Sequence, residues 1–387
     1  MTAATEGLRG RYIPPHSLFD EAALIATIDR LAAIESPTFH REGVNAAMTE
    51  AGRELARLGS TLRRVPGRDG LGDALIGRFS GQTPGILLLG HLDTVHAVGS
   101  TSSTMPIRRV DDRLFGPGVF DMKGGVAMAL HALAVLQAAG RRSQLAVSVL
   151  LIPDEEIGSP TTRDLIESEA RRHRYILVPE PAQEHGDLIT GRWAFQRFRV
   201  TARGVPAHAG ARLTAGRSAI REIADQIPRI EALSDPTKNV LCSVGVVHGG
   251  TFVNVVTPEC TAEVLAVTEA PGDYDRVRAA LLGMRSLRRE VELVVEPGPV
   301  RPLWEPGGES LAVYALARDL ATEIGYRPGS GVVGGGSDGN ITGALGVPTL
   351  DGLGPCGDGF HAPSEHLLIP SLVPRARLIA ALLASLT

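Results

Sequence analysis

Three short apolar runs in the first half of the chain each lead to residues that can bind a metal ion. They are residues 87–89 before His91, 145–152 before Asp154-Glu155-Glu156, and 175–178 before Glu180. Continuous apolar runs of this length are typical of strands buried on both faces in a parallel sheet. Because ligands collect at the carboxyl ends of such strands, we expect these polar side chains to lie close together.

The pattern around these runs predicts an α/β fold with an insertion. Helical periodicity covers residues 21–34, 42–58, 124–136, 161–172, 310–323 and 370–386, and further strands are predicted at 62–65, 74–79 and 347–350. Between 192 and 299 the order changes to strand, helix, two strands, helix and strand, which is an α+β pattern. We therefore expect a discontinuous domain of 1–191 and 300–387, with a second domain inserted at 192–299.

Composition excludes several classes of protein. With 387 residues, 43% of them hydrophobic, the chain can bury a large core, and its formal net charge of -4 does not favour nucleic acid or a membrane surface as a partner. Cys242, Cys260 and Cys356 show no paired spacing, which argues against a disulfide framework and suits a reducing cytoplasm. Residues 1–15 lack the apolar segment of a secretory signal. No apolar stretch is long enough to cross a bilayer.

Two residues near the first strand end define the predicted metal site. His91 and Asp93 point to the same side because side chains alternate along a strand. A metal-binding histidine needs a partner that fixes its tautomer, and Asp93 can accept its second N–H. The long polar loop 97–120 brings Asp121 to the same edge, just before a helix.

The candidate ligands are five residues that offer imidazole nitrogen or carboxylate oxygen: His91, Asp121, Glu156, Glu180 and His361. Nitrogen and oxygen donors without sulfur suit zinc, with cobalt and manganese as alternatives. Five ligands are more than one tetrahedral site can hold. They suit two ions, about 3.5–4 Å apart, that share Asp121 as a bridge. Glu155 would then be the general base that takes a proton from a metal-bound water, which predicts hydrolysis of an amide.

Each of these residues has a simpler explanation when it is considered alone. A single histidine such as His91 is more often structural than a ligand. Asp121 before a helix is best explained as an N-cap, and the acids at 154–156 could be stabilised by a helix dipole. Glu180, between two prolines, could be a solvated loop acid. Their joint placement at successive strand ends favours the metal site.

The ordered motifs resemble a known family across almost the whole chain. They are His91-Leu92-Asp93-Thr94-Val95, Asp121-Met122-Lys123-Gly124-Gly125, Asp154-Glu155-Glu156, Glu180-Pro181 and the late His361. This set is similar to that of the zinc-dependent glutamate carboxypeptidase, acetylornithine deacetylase and succinyl-diaminopimelate desuccinylase family. The resemblance implies a catalytic domain with a mixed sheet that binds two zinc ions, and an inserted α+β lid domain that dimerises.

The resemblance also implies individual roles. Residues that match His91, Asp121 and Glu180 bind one zinc ion, and those that match Asp121, Glu156 and His361 bind the other. By the same resemblance Glu155 is the base, Asp93 steadies the first histidine, and the peptide bond after Asp121 is cis.

Five further residues are candidates for substrate binding by the same resemblance. His208 matches a histidine that reaches the partner subunit's active site as an oxyanion donor, although a turn residue is the alternative. Asn254 matches a substrate-contacting asparagine, or is a turn amide. Arg301 lies where glutamate-cleaving members have an arginine that clamps a carboxylate, or is a linker charge. Gly336 and Ser337 belong to a loop whose backbone lines the substrate pocket.

The sequence therefore predicts a homodimeric di-zinc hydrolase. Its substrate would be an N-acyl amino acid or a short peptide with a free C-terminal carboxylate, of the glutamate type. A deacylase of the acetylornithine or succinyl-diaminopimelate type is the alternative within this class. A non-catalytic, metal-stabilised binding dimer is the alternative of another class, and it predicts that the base or a ligand is missing.

Overall fold

The computed structural model describes residues 11–387, apart from the side chain of Glu184. Residues 1–10, which belong to the segment 1–15 interpreted above, lie outside the described residues. The chain divides into two compact units. The discontinuous unit comprises Met1–Gly191, Glu305–Val332 and Ser337–Thr387, and the inserted unit comprises Arg192–Trp304 and Val333–Gly336.

Helices of the discontinuous unit come from both of its sequence segments. They are α1 (Glu21–Ala32), α2 (Arg41–Arg57), α3 (Lys123–Ala138), α4 (Arg163–Ala170), α7 (Gly308–Ile324), α8 (Gly339–Ala344) and α9 (Ile369–Ser385). Helix α3 is buried on nearly all sides, which explains its almost uninterrupted apolar sequence. Within residues 11–387, no helix has the length and apolar character needed to span a membrane.

The main sheet of the discontinuous unit is mixed, as the family resemblance implies. Its strands, in spatial order, are β1 (Thr61–Val65), β2 (Ala74–Phe79), β6 (Leu145–Ile152), β3 (Gln82–His91), β7 (His173–Leu177) and β14 (Thr349–Leu350). Strand β3 pairs in parallel with both β6 and β7, whereas β2 pairs with β6 antiparallel. The carboxyl ends of β3, β6 and β7 therefore meet at one edge of the sheet.

The inserted unit is a sheet with two helices. Its strands are β9 (Ala194–Arg203), β10 (Val240–Gly249), β11 (Glu259–Thr268) and β12 (Glu292–Arg301), in the spatial order β10-β11-β9-β12, and its helices are α5 (Ala219–Glu231) and α6 (Pro271–Leu282). Buried residues of these strands and helices form a core of their own, which includes Phe198, Ile223 and Val264.

Several short elements were not predicted from the sequence. The segment 97–120, expected to be irregular, contains β4 (Arg108–Val110) and β5 (Arg113–Phe115), which join β15 (Gly357–Asp358) and β16 (His366–Leu368) in a small sheet. Strands β8 (Leu188–Arg192) and β13 (Ser330–Val333) form a two-stranded sheet. Most of these strands have two to four residues, which is too short to show an alternating pattern.

Candidate metal centre

His91 ends β3 and is almost fully buried, with 1% of its surface exposed. Its Nδ1 lies 3.0 Å from the main-chain carbonyl oxygen of Asp93 and 3.4 Å from the Asp93 carboxylate. The sequence assigned the partner role to the carboxylate, but the carbonyl oxygen is closer. When Nδ1–H donates to this carbonyl, Nε2 is left with its lone pair as the metal-binding atom.

Asp121 lies between two histidines. Its Oδ1 is 3.3 Å from Nε2 of His91, and its Oδ2 is 3.4 Å from Nε2 of His361. The Asp121–Met122 peptide bond is cis. Helix α3 begins after Met122 and has no side-chain cap, so Asp121 is not its N-cap. One carboxylate with a histidine at each oxygen has the arrangement that a bridging ligand needs.

The three acids after β6 diverge. Glu156 places Oε2 3.1 Å from Nε2 of His361, whereas Oε2 of Glu155 lies 4.0 Å from Nε2 of His91. Asp154 is turned away and accepts hydrogen bonds from Thr161 and Thr162. Glu155 and Glu156 begin a single 3₁₀ turn, Glu155–Ile157, so these acids do lie at a helix N-terminus, but each has its own partners.

Glu180 follows β7 and completes the group around His91. Its Oε1 is 3.6 Å from Nε2 of His91, and the side chain is buried. A close approach of backbones makes this arrangement possible. A Cβ atom on Gly125 would lie 1.8 Å from the carbonyl oxygen of Pro179, so only glycine lets the first turn of α3 pack against this strand end.

The cluster has more buried negative charge than its histidines can neutralise. Burial and the charge of Asp121 raise the pKa of Glu156 to about 8 and raise the pKa of Glu180 well above its ordinary value. Burial opposes the shift at Asp121, but hydrogen bonds from His361 and His91 outweigh it and lower the pKa of Asp121. Hydrogen bonds to Asp121 and Glu156 raise the pKa of His361 to about 10.

These residues fit divalent cations. Ligand atoms from His91, Asp121 and Glu156 all lie within 4.8 Å of one another. The donors are imidazole nitrogen and carboxylate oxygen, the set that zinc accepts. Cations would relieve the repulsion that raises the pKa values of Glu156 and Glu180.

Hydrogen bonds to the Asp93 carboxylate hold the segments that carry the candidate ligands in place. The buried carboxylate of Asp93 accepts bonds of 3.2 Å from the backbone N–H groups of both Glu155 and Glu156. It also accepts a bond of 2.7 Å from the hydroxyl of Thr38. Asp93 therefore connects the end of β3 to the turn after β6. The role of Thr38 was missed because a single threonine in a loop has no recognisable pattern.

His208 and Asn254 lie in the inserted unit and are both exposed. Nδ1 of His208 accepts hydrogen bonds from the backbone N–H groups of Gly210 and Ala211, at 3.2 and 3.0 Å. The neutral ring must then carry its proton on Nε2. The main-chain oxygen of Asn254 accepts a bond of 2.9 Å from Ala209, so this segment holds the His208 loop in place.

The other candidates for substrate binding lie near the sequence junctions of the units. Arg301, at the end of β12, is 6% exposed, so it is not a surface linker charge. A Cβ atom on Gly336 would lie 2.7 Å from Cδ of Arg301, which places the two residues in contact. Ser337 is fully buried, and its hydroxyl donates to Asp351 at 2.6 Å.

Comparison with known proteins decides the family. Residues 87–385 match the model of peptidase family M20/M25/M40. The chain belongs to this family. It is therefore a hydrolase of a metallopeptidase family, as its motifs predicted, and the family assignment made from the sequence is confirmed.

Curated relatives include two kinds of enzyme. Carboxypeptidase G2 from Pseudomonas sp. (strain RS-16) is 31% identical over 376 residues, which cover 94% of this chain and 88% of that protein. A succinyl-diaminopimelate desuccinylase from Acidovorax ebreus (strain TPSY) is 26% identical over 322 residues, which cover 77% of this chain and 79% of that enzyme.

The fold is also found in solved structures. A tripeptidase from Staphylococcus aureus subsp. aureus Mu50 superposes with a TM-score of 0.70 at 20% sequence identity, and the match covers 95% of this chain and 98% of that one. This similarity confirms the predicted mixed α/β fold of the M20 peptidases.

Proposed function

We propose that this M20-family hydrolase uses two zinc ions to cleave the amide bond of an N-acyl amino acid or short peptide that ends in a free carboxylate. The observation that carries the proposal is the position of Asp121, with one oxygen beside His91 and the other beside His361. His91, Asp121 and Glu180 would hold one ion. Asp121, Glu156 and His361 would hold the second.

Glu155 is the proposed general base. When bound, the ions would polarise the substrate carbonyl and supply a water molecule of lowered pKa. The Glu155 carboxylate lies beside the ligands, 4.0 Å from Nε2 of His91, and its backbone N–H donates to Asp93. It is thus held where it can accept a proton and pass it to the leaving nitrogen. This proton transfer completes the hydrolysis.

His208 is the proposed oxyanion donor. Because Nδ1 accepts two backbone N–H bonds, Nε2 carries the proton and is a hydrogen-bond donor. A histidine whose tautomer is fixed in this way can donate its Nε2–H to the negative charge that develops on the substrate oxygen. We propose that His208 acts in this way at the active site of the partner subunit.

Arg301 is the proposed group for the substrate's free carboxylate. A guanidinium binds a carboxylate through two parallel hydrogen bonds, and partial exclusion of water strengthens them. Its contact with Gly336 supports a pocket role for the loop that contains Gly336 and Ser337. The similarity to carboxypeptidase G2 favours a glutamate-type substrate. The similarity to a desuccinylase keeps an N-acyl amino acid deacylase as the second candidate.

Dimerisation is proposed through the inserted unit. Strand β10 is at one edge of its sheet, and its apolar residues Leu241, Val246 and Val247 are 42–46% exposed. The opposite edge, β12, contains prolines and glutamates, which protect an edge from pairing. An exposed apolar edge strand is suited to pairing with a second copy of itself.

A cytoplasmic location is proposed from the cysteines. Cys242, Cys260 and Cys356 are all unpaired in the structure. Unpaired cysteines in a protein of this size suit a reducing compartment.

The deciding experiment is a substrate panel. Metal-free protein is reloaded with zinc, and its metal content is measured. Release of free amine is then followed for N-acyl glutamates, N-acetylornithine, succinyl-diaminopimelate and dipeptides. Selective cleavage of the glutamate substrates, abolished by chelation and restored by zinc, is the expected result. Selective cleavage of the ornithine or diaminopimelate derivative would favour the deacylase. Tight metal binding without turnover of any substrate would favour the non-catalytic dimer.

A further inference from the structure

Glu365 is a buried carboxylate that the sequence did not single out. It is 1% exposed and lies four residues after His361. Its Oε1 accepts hydrogen bonds of 2.9 Å and 3.1 Å from the backbone N–H groups of Phe120 and Asp121. Its Oε2 accepts a bond of 3.1 Å from the N–H of Gly118 and lies 2.5 Å from Nε2 of His96. Four donors therefore converge on one side chain.

These contacts join two segments that carry proposed ligands. Gly118, Phe120 and Asp121 form the end of the loop that delivers Asp121 to the cluster. Glu365 itself lies on the loop of His361, a residue held at a φ of 57°, in the left-handed region. The carboxylate thus fixes the backbone of one ligand relative to the loop of the other.

The surroundings of Glu365 compensate its charge. A buried carboxylate is costly unless its oxygens are hydrogen-bonded and an opposite charge is near. Glu365 has both, because the buried ammonium of Lys123 interacts with it electrostatically. Lys123 is anchored in turn, since its Nζ donates to the carbonyl oxygen of Ile34 at 2.7 Å. A carboxylate whose charge is balanced and whose oxygens are hydrogen-bonded in this way holds the bonded backbone groups in fixed positions.

We infer that Glu365 is a positioning residue for the metal centre, which sets the separation of Asp121 and His361 and thereby the affinity for metal. The inference rests on the proposed function, because it assumes that these two residues are ligands. The hydrogen bonds of Glu365 go to backbone N–H groups and to His96, so it would act on the ligands through the backbone. Residues that support ligands in this way typically change metal affinity by about 10–100-fold when they are replaced.

Glu365→Gln tests the inference with little change in volume. The amide keeps one acceptor oxygen, but its NH2 group takes the place of the other. In one orientation the NH2 group faces the N–H of Gly118, and in the other it faces the N–H groups of Phe120 and Asp121. We expect the dissociation constant for zinc, measured by competition with a chromophoric chelator, to rise about 10–100-fold. The absorption spectrum of the cobalt-loaded protein should also change, because it reports the geometry of the ligands.

The matched control is Glu169→Gln. Glu169 is also 1% exposed and lies in the same unit, but it pairs with Arg78 and contacts no ligand-bearing loop. We expect this variant to bind zinc as the wild type does, even if it is less stable. Thermal unfolding of the metal-free proteins shows whether each variant is folded.

A second variant covers the case in which Glu365→Gln fails to fold. His96→Phe removes one of the two donors to Oε2 but leaves the three backbone hydrogen bonds to Glu365, so we expect a smaller rise in the zinc dissociation constant, of roughly 3–10-fold. Folded variants with wild-type affinity and cobalt spectrum would overturn the inference. An equal rise in the zinc dissociation constant of Glu169→Gln would also overturn the inference. Wild-type protein that binds no zinc would overturn the proposed function itself.

Discussion

Nδ1 of His91 lies 3.0 Å from the main-chain carbonyl oxygen of Asp93, nearer than the 3.4 Å that separates it from the Asp93 carboxylate. A substitution at position 93 therefore keeps the carbonyl that orients the histidine. What it removes is the acceptor for the backbone N–H groups of Glu155 and Glu156.

Asp93→Ala should accordingly weaken the metal centre without abolishing it. We expect a rise of about 10–100-fold in the zinc dissociation constant, because the turn that carries Glu155 and Glu156 loses its anchor. Chelator competition measures this change. Thr38→Val removes a single hydrogen bond to the same carboxylate and should have a smaller effect of the same sign. Unchanged affinity in Asp93→Ala would show that the carbonyl alone is sufficient.

Glu155→Gln should separate catalysis from metal binding. The amide cannot accept the proton, so the rate of hydrolysis should fall by at least about 100-fold. Metal content, measured by elemental analysis, should remain that of the wild type because Glu155 is not a proposed ligand. Glu156→Gln, at the neighbouring proposed ligand, is the matched comparison and should lose metal. Turnover close to the wild-type rate in Glu155→Gln would exclude Glu155 as the base.

Arg301→Lys should raise KM more than it lowers kcat. Lysine keeps the charge but cannot form two parallel hydrogen bonds with a carboxylate. The loss of one charge-assisted bond, about 1.5–3 kcal/mol, corresponds to a rise in KM of roughly 10–100-fold for a substrate with a free carboxylate. The corresponding amide substrate should show no difference between variant and wild type. An equal effect on both substrates would contradict the clamp.

Val247→Glu should dissociate the proposed dimer. In a two-fold symmetric interface each substitution occurs twice, so two charges would enter an apolar surface. Each lost apolar contact is worth about 1.5–3 kcal/mol, which predicts a rise of at least about 100-fold in the dimer dissociation constant. Light scattering coupled to gel filtration measures the mass. Leu287→Glu, which is 49% exposed in the wild type and lies outside this strand, should leave the mass unchanged.

His131 should make the metal-free protein sensitive to acid. Burial lowers the pKa of His131, whose ring packs against Phe19. The unfolded chain therefore takes up this proton first as the pH falls through the ordinary histidine value of about 6.5, and the free energy of unfolding decreases below that pH. His131→Phe should flatten this decrease between about pH 7 and pH 5. Urea unfolding at each pH measures the free energy of unfolding. His16→Gln, at an exposed histidine, is the control.

The sequence predicted the long elements and the proximity of the polar residues that follow the strands. The bounds of β2 and β6 match the predicted strands at 74–79 and 145–152, because these runs are mostly apolar and polar or turn-forming residues flank them. Loops bring Asp121 and His361 to the cluster, whereas His91, Glu156 and Glu180 converge because β3 pairs in parallel with β6 and β7. Such pairing brings the ends of distant segments together, and each end carries its own local motif.

Contacts made by the backbone could not be predicted in the same way. The carbonyl of Asp93 and the three N–H groups around Glu365 belong to the backbone, and almost every residue has such groups. No residue type therefore marks them in the sequence. They depend on the path of two loops, and loop paths are set by packing rather than by periodicity. The short hairpin of β4 and β5 was missed for a related reason, since its stability comes from pairing with β16.

The proposed ligands Glu180 and His361 stand on opposite sides of the inserted unit in the sequence. During synthesis the ribosome must translate that whole unit before the last histidine emerges. A chain that stops early would carry four carboxylate and imidazole ligands but no complete pair of ion sites. The proposed pair of zinc ions can thus be held only by chains that extend past His361, and products terminated before that residue should be inert as hydrolases.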